Sequence, residues 1–233
     1  MTREEFLLNL RTAARSVNVT AQTDGPLLSE ERLARALNGC ALWLAPTSVA
    51  DFDPADFPEL SAQQRKELQT EVERFRALAQ GAPANDSVTE AQVREALPHF
   101  KRIVDLAAQA AIMEWQGALD RLFLDIEKWA QELNWAVRRD PKRVAESFLG
   151  EYEAPRLLVH TTDNKRYFLD PVARLVVGGT GRVEMCLMPS YDSAAVVRID
   201  GTWYVLPERA GERRRRWSRQ TFLDVASRLA SAA

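Results

Sequence analysis

The sequence predicts an α+β fold, with a helical N-terminal part built on one long central helix and then a small, mainly antiparallel sheet of about five strands under a C-terminal helix. Three observations carry that prediction. Between Phe100 and Val137 apolar residues recur every eleven positions: Phe100, Ala111, Leu122 and Leu133 form one row, Val104, Trp115, Ile126 and Val137 a second, and Ala107, Ala118 and Trp129 a third. Such a repeat averages about 3.67 residues per turn, close to the 3.6 of an α-helix. From Arg156 onward the period drops to two, as in strands. Two hairpin dipeptides, Asp163–Asn164 and Asp200–Gly201, punctuate that second region. The reading divides the chain into a helical domain, 1–150, and a small sheet domain, 151–233.

Each element follows from local signals. Thr2 and Glu5 fit a capping box, in which the hydroxyl takes the N–H three residues on and the carboxylate returns to the cap's own N–H. A helix over 3–16 then carries Phe6, Leu7, Leu10 and Ala14 on one stripe. Ser29 caps a short helix with Leu33, Ala36 and Leu37 that stops at Asn38–Gly39, and Cys40 to Leu44 is a buried apolar stretch. Two prolines forbid a helix across Asp51–Pro58, where Phe52 and Phe57 pin the loop. Ser61 caps the next helix, whose stripe is Leu68, Val72, Phe75 and Leu78, and Gly81–Asp86 is a linker. Thr89 and Gln92 form a second capping box whose turn or two Pro98 interrupts. The long helix is expected over about 98–139, with Arg121–Asp125 and Lys128–Glu132 pairs on its outer face and Gly117 as its weakest position. Asp140–Pro141 then reads as a fresh helix start, ending near Gly150.

In the second region Leu157–Thr161 and Arg166–Leu169 form a hairpin that sets His160 opposite Tyr167 and Val159 opposite Phe168, if Asp163–Asn164 is a two-residue turn. Gly178–Gly181 is a flexible turn before a strand at Val183–Met188. Ala194–Ile199 and Thr202–Leu206 form the second hairpin, pairing Arg198 with Trp203 and Val197 with Tyr204. Ser218 caps the terminal helix, at 218–230, whose Phe222, Val225, Ala226 and Leu229 cover the sheet.

Composition narrows the function classes. With 46% hydrophobic and 27% charged residues, the 233-residue chain has the makeup of a globular protein. The net charge is −2, but unevenly spread: of 31 basic and 33 acidic side chains, 13 and 10 lie in residues 151–233. No apolar run approaches the roughly 18 residues of a membrane span. The N-terminus has no basic start followed by an apolar core, and two cysteines, Cys40 and Cys186, make no disulfide framework, so a cytoplasmic location without membrane contact is expected.

Chemistry-bearing residues are few. Arg209, Arg213, Arg214, Arg215, Arg216 and Arg219 place six guanidinium groups within eleven residues, beside Trp217. Such a run is a solvated basic turn neutralised by Glu208 and Glu212, a dock for an acidic protein, or a contact for nucleic acid through forked phosphate pairing and base stacking. Gly178–Gly181 lacks the lysine and following helix of a phosphate loop. Asp51, Asp53 and Asp56 lack the glycine and glutamate of a calcium loop, so helix capping is the better reading. His99 opens a helix, while a nucleophilic pair of Cys186 with His160 would need a third, orienting group that the spacing does not supply. Finally, the wide apolar face of the long helix, with Trp115, Ile126 and Trp129 at its centre, is a candidate docking face for a protein partner or a second copy.

The leading expectation is therefore a non-enzymatic interaction protein, a regulatory or accessory subunit of a larger assembly, needing no metal or cofactor. A nucleic-acid-associated component using residues 209–219 is the first alternative. An enzyme with a site near His160, Tyr167 and Cys186 is the second.

Overall fold

The computed structural model describes residues 2–21, 53–80, 90–207 and 213–232. The expected short helix at 29–39, the apolar stretch at 40–44, Phe52, the linker at 81–86 and the Thr89–Gln92 box lie outside these residues. The chain divides into two compact units, Met1–Ala111 and Ile112–Ala233, and the division falls within the long helix.

In the first unit the caps form as their residue types dictate. The Thr2 N–H donates to Glu5 Oε2 at 2.7 Å and the Glu5 N–H to Thr2 Oγ1 at 3.2 Å, opening helix α1 (Arg3–Ala21). Its Phe6, Leu7 and Leu10 are buried. A 3-10 turn at Pro54–Asp56 is capped by Asp53, whose side chain accepts the Ala55 N–H, so that aspartate caps a turn as expected. The same loop delivers Phe57 edge-on to Phe6 at 5.7 Å, with the Arg3 guanidinium 5.2 Å from its ring centre. Ser61 and Gln64 form a reciprocal box at the start of α2 (Ala62–Gln80), whose Leu68, Val72 and Phe75 are buried. Between α2 and the first part of α3 (Glu90–Glu132), Phe75 meets Phe100 at 5.7 Å, His99 Nδ1 lies 2.5 Å from Glu71, and Arg102 lies 2.6 Å from Glu67.

Helix α3 begins earlier and ends earlier than the repeat predicts. Pro98 stands inside it rather than at its start. Its end is a Schellman motif centred on Asn134, which takes φ 57°. The Trp135 N–H donates to Ala130 O at 2.8 Å and the Asn134 N–H to Gln131 O at 3.1 Å, satisfying the last carbonyls. The repeat therefore loses its structural meaning past Trp129: Leu133 is half-buried and Val137 is exposed.

Instead of a helix at 140–150, the chain forms an eleven-residue strand, β1 (Ala136–Glu146), paired along its whole length with β2 (Gly150–His160). An Asp–Pro step is ambiguous: it can open a helix, but the residue before proline also favours extended backbone. Pro141 is tolerated because β1 is an edge strand, where a missing N–H breaks no ladder bond. Gly150, read as a helix stop, takes φ 76° in the β1–β2 turn.

Among the described residues the sheet has seven strands where about five were expected, in sequential order: β3 (Arg166–Ala173), β4 (Arg182–Met188), β5 (Ser193–Ile199), β6 (Thr202–Val205) and β7 (Arg215–Arg216) follow β1 and β2, all antiparallel. Its core face carries Leu157, Val159, Tyr167, Leu169, Met185 and Leu187. Helix α4 (Arg219–Ala232) buries Phe222, Val225, Ala226 and Leu229, and accepts the Tyr167 hydroxyl at Ala226 O, 2.9 Å away.

One register differs from expectation. The loop at Asp163–Asn164 has three residues, closed by the Thr161 N–H donating to Lys165 O and the Lys165 N–H to Thr161 Oγ1, with Asn164 at φ 65°. This is the turn-plus-left-handed-residue loop rather than the two-residue one. His160 consequently faces Arg166, and Val159 faces Tyr167. At Asp200–Gly201 both residues take positive φ, 47° and 76°, as a type I′ turn requires, and the expected pairs Arg198–Trp203 and Val197–Tyr204 form.

Candidate functional site

Arg215 and Arg216 of the Arg-rich segment form β7, the last strand of the sheet among the described residues. There β7 pairs with β6, matching Arg216 to Tyr204 and Arg215 to Val205, and the Trp217 N–H donates to Trp203 O at 2.8 Å. The chain then turns directly into α4: Ser218 Oγ accepts the Thr221 N–H, and Thr221 Oγ1 donates to Arg216 O at 3.0 Å. A short strand and a capped helix thus fix where each guanidinium sits.

The arginines differ in their surroundings. Arg215 pairs with Asp224 at 2.8 Å and Arg219 with Glu132 at 3.2 Å. Asp224 is held below the usual carboxylate range by hydrogen bonds from Gln220 and Arg215. Arg214 lies over the Tyr204 ring, 4.7 Å from its centre. Arg213 and Arg216 are exposed, and among the described residues neither they nor Arg214 has a carboxylate partner. Arg209 lies outside the described residues, as do Glu208 and Glu212.

Trp217 is an anchor. Its ring lies 6.5 Å from Trp129 and 5.8 Å from Phe222, and Phe222 also meets Trp135 at 6.1 Å. Four aromatic rings so pin the terminal helix and the sheet edge to the end of α3. The Trp217 indole N–H is buried and meets no acceptor among the described residues.

Behind the edge lies a cleft of about 270 Å³, lined by Arg121 and Asp125 of α3, Arg198 of β5, Thr202 and Trp203 of β6, and Arg216 and Trp217. Arg121 and Asp125 do not form the expected pair; no ion pair joins them among the described residues, and Glu132 is taken by Arg219 in place of Lys128. Arg198 is positioned from below. Its Nη1 donates to Glu114, which also receives Arg174 Nε at 2.9 Å, and the Arg174 side chain is only 1% exposed. Glu114 thus ties two guanidinium groups, one of them buried, to a single carboxylate.

The candidate docking face on the long helix is not available. Trp115 and Ile126 are fully buried within the second unit, and Trp129 is half-buried in the aromatic cluster. Trp115 lies 5.8 Å from Trp203 and against Gly181, where a Cβ would come within 2.2 Å of its ring. Gly178–Gly181 is a turn between strands as expected, but a fastened one: the Thr180 N–H donates to Arg198 O at 2.7 Å and the Arg198 N–H to Gly181 O at 2.9 Å.

The imagined catalytic group does not assemble. Tyr167 lies on the core face, whereas His160 and Cys186 lie on the opposite one, with Phe168 directly between Leu158 and Cys186 in the ladder. Burial pushes the Cys186 thiol up, and Glu184 and Asp170 add to the shift, which disfavours the thiolate a nucleophile needs. Among the described residues no cluster of His, Cys, Asp or Glu has the makings of a metal site, and no helix is long and apolar enough to cross a membrane.

Fold and site together define an α+β chain with a cationic sheet edge and an aromatic-walled cleft behind it. No protein-family model, curated protein or solved structure matches the chain.

Proposed function

We propose that this chain is a non-enzymatic interaction module, an accessory or regulatory subunit that docks on an acidic protein surface through the Arg213–Arg216 edge. The observation that carries the reading is the exposed edge itself. Arg213, Arg214 and Arg216 are exposed, on or beside a strand that has no outer neighbour among the described residues, and no described carboxylate neutralises them. Guanidinium forks in that position pair with carboxylates bidentately, while partly desolvated pairs across an interface supply orientation as well as affinity.

A protein partner suits this edge better than nucleic acid. Base recognition by a basic run depends on a free aromatic platform. Here Trp217 is engaged with Trp129 and Phe222, and Tyr204 is covered by Arg214.

The test is affinity capture from the native host with nuclease treatment, comparing the full chain with an Arg213→Ala/Arg214→Ala/Arg216→Ala variant. All three side chains are exposed, so the fold should survive within about 0.5 kcal/mol per site. The reading expects an acidic protein held by the wild type, resistant to nuclease and lost from the variant. Identical capture by both chains, or a partner released by nuclease, overturns it.

A further inference from the structure

Main-chain pairing at the β7 edge has little capacity. The strand is two residues long, and the chain leaves it at once for the Ser218 cap of α4. A partner lying along this edge therefore gains few ladder bonds, and its affinity has to come from side chains.

We infer that the cleft behind the edge is an anchor pocket for one carboxylate side chain of the acidic partner, held between Arg121 and Arg198; this rests on the docking reading above. The lining includes three arginines, Arg121, Arg198 and Arg216, against one acidic residue, Asp125. Arg121 comes from an exposed turn of α3 and has no ion-pair partner among the described residues. Arg198 is preorganised by Glu114, to which its Nη1 donates, and among the described residues no other side-chain bond of its guanidinium is present. Trp203 and Trp217 wall the cleft with apolar surface, which strengthens a charge-assisted hydrogen bond by excluding water.

Size and charge both select the occupant. The cleft, at about 270 Å³, lies below the roughly 300–1,000 Å³ of drug-sized sites. That suits a short acidic side chain with a few waters. Asp125 at the same cleft opposes an incoming carboxylate, so the geometry makes two opposite predictions for two neighbouring helix positions.

The experiment is fluorescence anisotropy of the full chain with a labelled decapeptide of alternating Glu and Ser, at low salt, with a Lys–Ser peptide as control. The acidic peptide should bind, Arg121→Gln should weaken it about tenfold, and Asp125→Asn should tighten it several-fold. Both changes are on the exposed face of α3, and melting curves verify that each variant folds. If both bind like wild type while an Arg213→Ala/Arg214→Ala variant, which leaves the cleft's Arg216 in place, loses binding, the edge docks the partner and the anchor inference falls. If Arg121→Gln weakens binding and the edge variant does not, the cleft stands and the edge reading falls. If the acidic peptide does not bind wild type, both fall.

Discussion

At the scale of single residues, the decisive positions divide into those whose partners are near in sequence and those whose partners are far. Thr2 with Glu5, Ser61 and Ser218 were legible because a cap's partner lies three residues away. Asn134, whose φ of 57° ends α3, was not read as a stop, because the apolar repeat runs on to Leu133 and Val137. Gly181 could not be read at all. Its role is to let the backbone lie on Trp115, a residue 66 positions earlier, and it takes φ 155° where a side chain is strained. Gly181→Ala should therefore destabilise the second unit by about 3 kcal/mol through overpacking against a fully buried ring. Chemical denaturation followed by tryptophan fluorescence checks this; a loss under about 0.5 kcal/mol would contradict the packing described. Gly150, with nothing within 4 Å of an added Cβ, is the matched control for backbone strain alone.

Among the elements, helices with a clear stripe and hairpins with a clear dipeptide were readable, and edge strands were not. β1 lies at one edge of the sheet with most of its residues exposed or half-exposed, so it shows no alternation to detect. β7 has two residues, both arginine, and is a strand only because β6 offers it a ladder. Its junction with α4 is where electrostatics and folding meet. Asp224 is exposed, and its pKa lies below the ordinary 3.8 through hydrogen bonds from Gln220 and Arg215. A carboxylate whose folded pKa is lowered contributes stability that is complete above its unfolded value and is lost as pH falls through the folded one. The β7–α4 junction should thus hold at neutral pH and loosen only below about pH 4. An NMR titration of the Asp224 carboxyl should give a midpoint under 3.8, moved upward by Arg215→Gln; a midpoint at or above 3.8 in the wild type would refute the pairing.

For the molecule as a whole, the two ends of the sequence reading fared differently. The α+β class, the long helix before the sheet and the covering C-terminal helix are all present. The Arg-rich run was conspicuous as sequence, and the structure gives it a place, the terminal edge of a seven-stranded sheet. The cleft was invisible beforehand because it joins Arg121, Arg198 and Arg216, three residues from separate elements that no spacing rule connects. The expected docking face on the helix vanished for the complementary reason: the sheet and terminal helix use that surface as their own core.

Docking of an acidic partner at this edge and cleft is checked by titrating the ¹⁵N-labelled full chain with the Glu–Ser decapeptide at low and at physiological salt. Shifts should concentrate at Arg213–Trp217, Thr202–Tyr204 and Arg121 and shrink as salt screens the pairing. Shifts scattered over the surface, centred on the opposite β1 edge, or absent at low salt would contradict it.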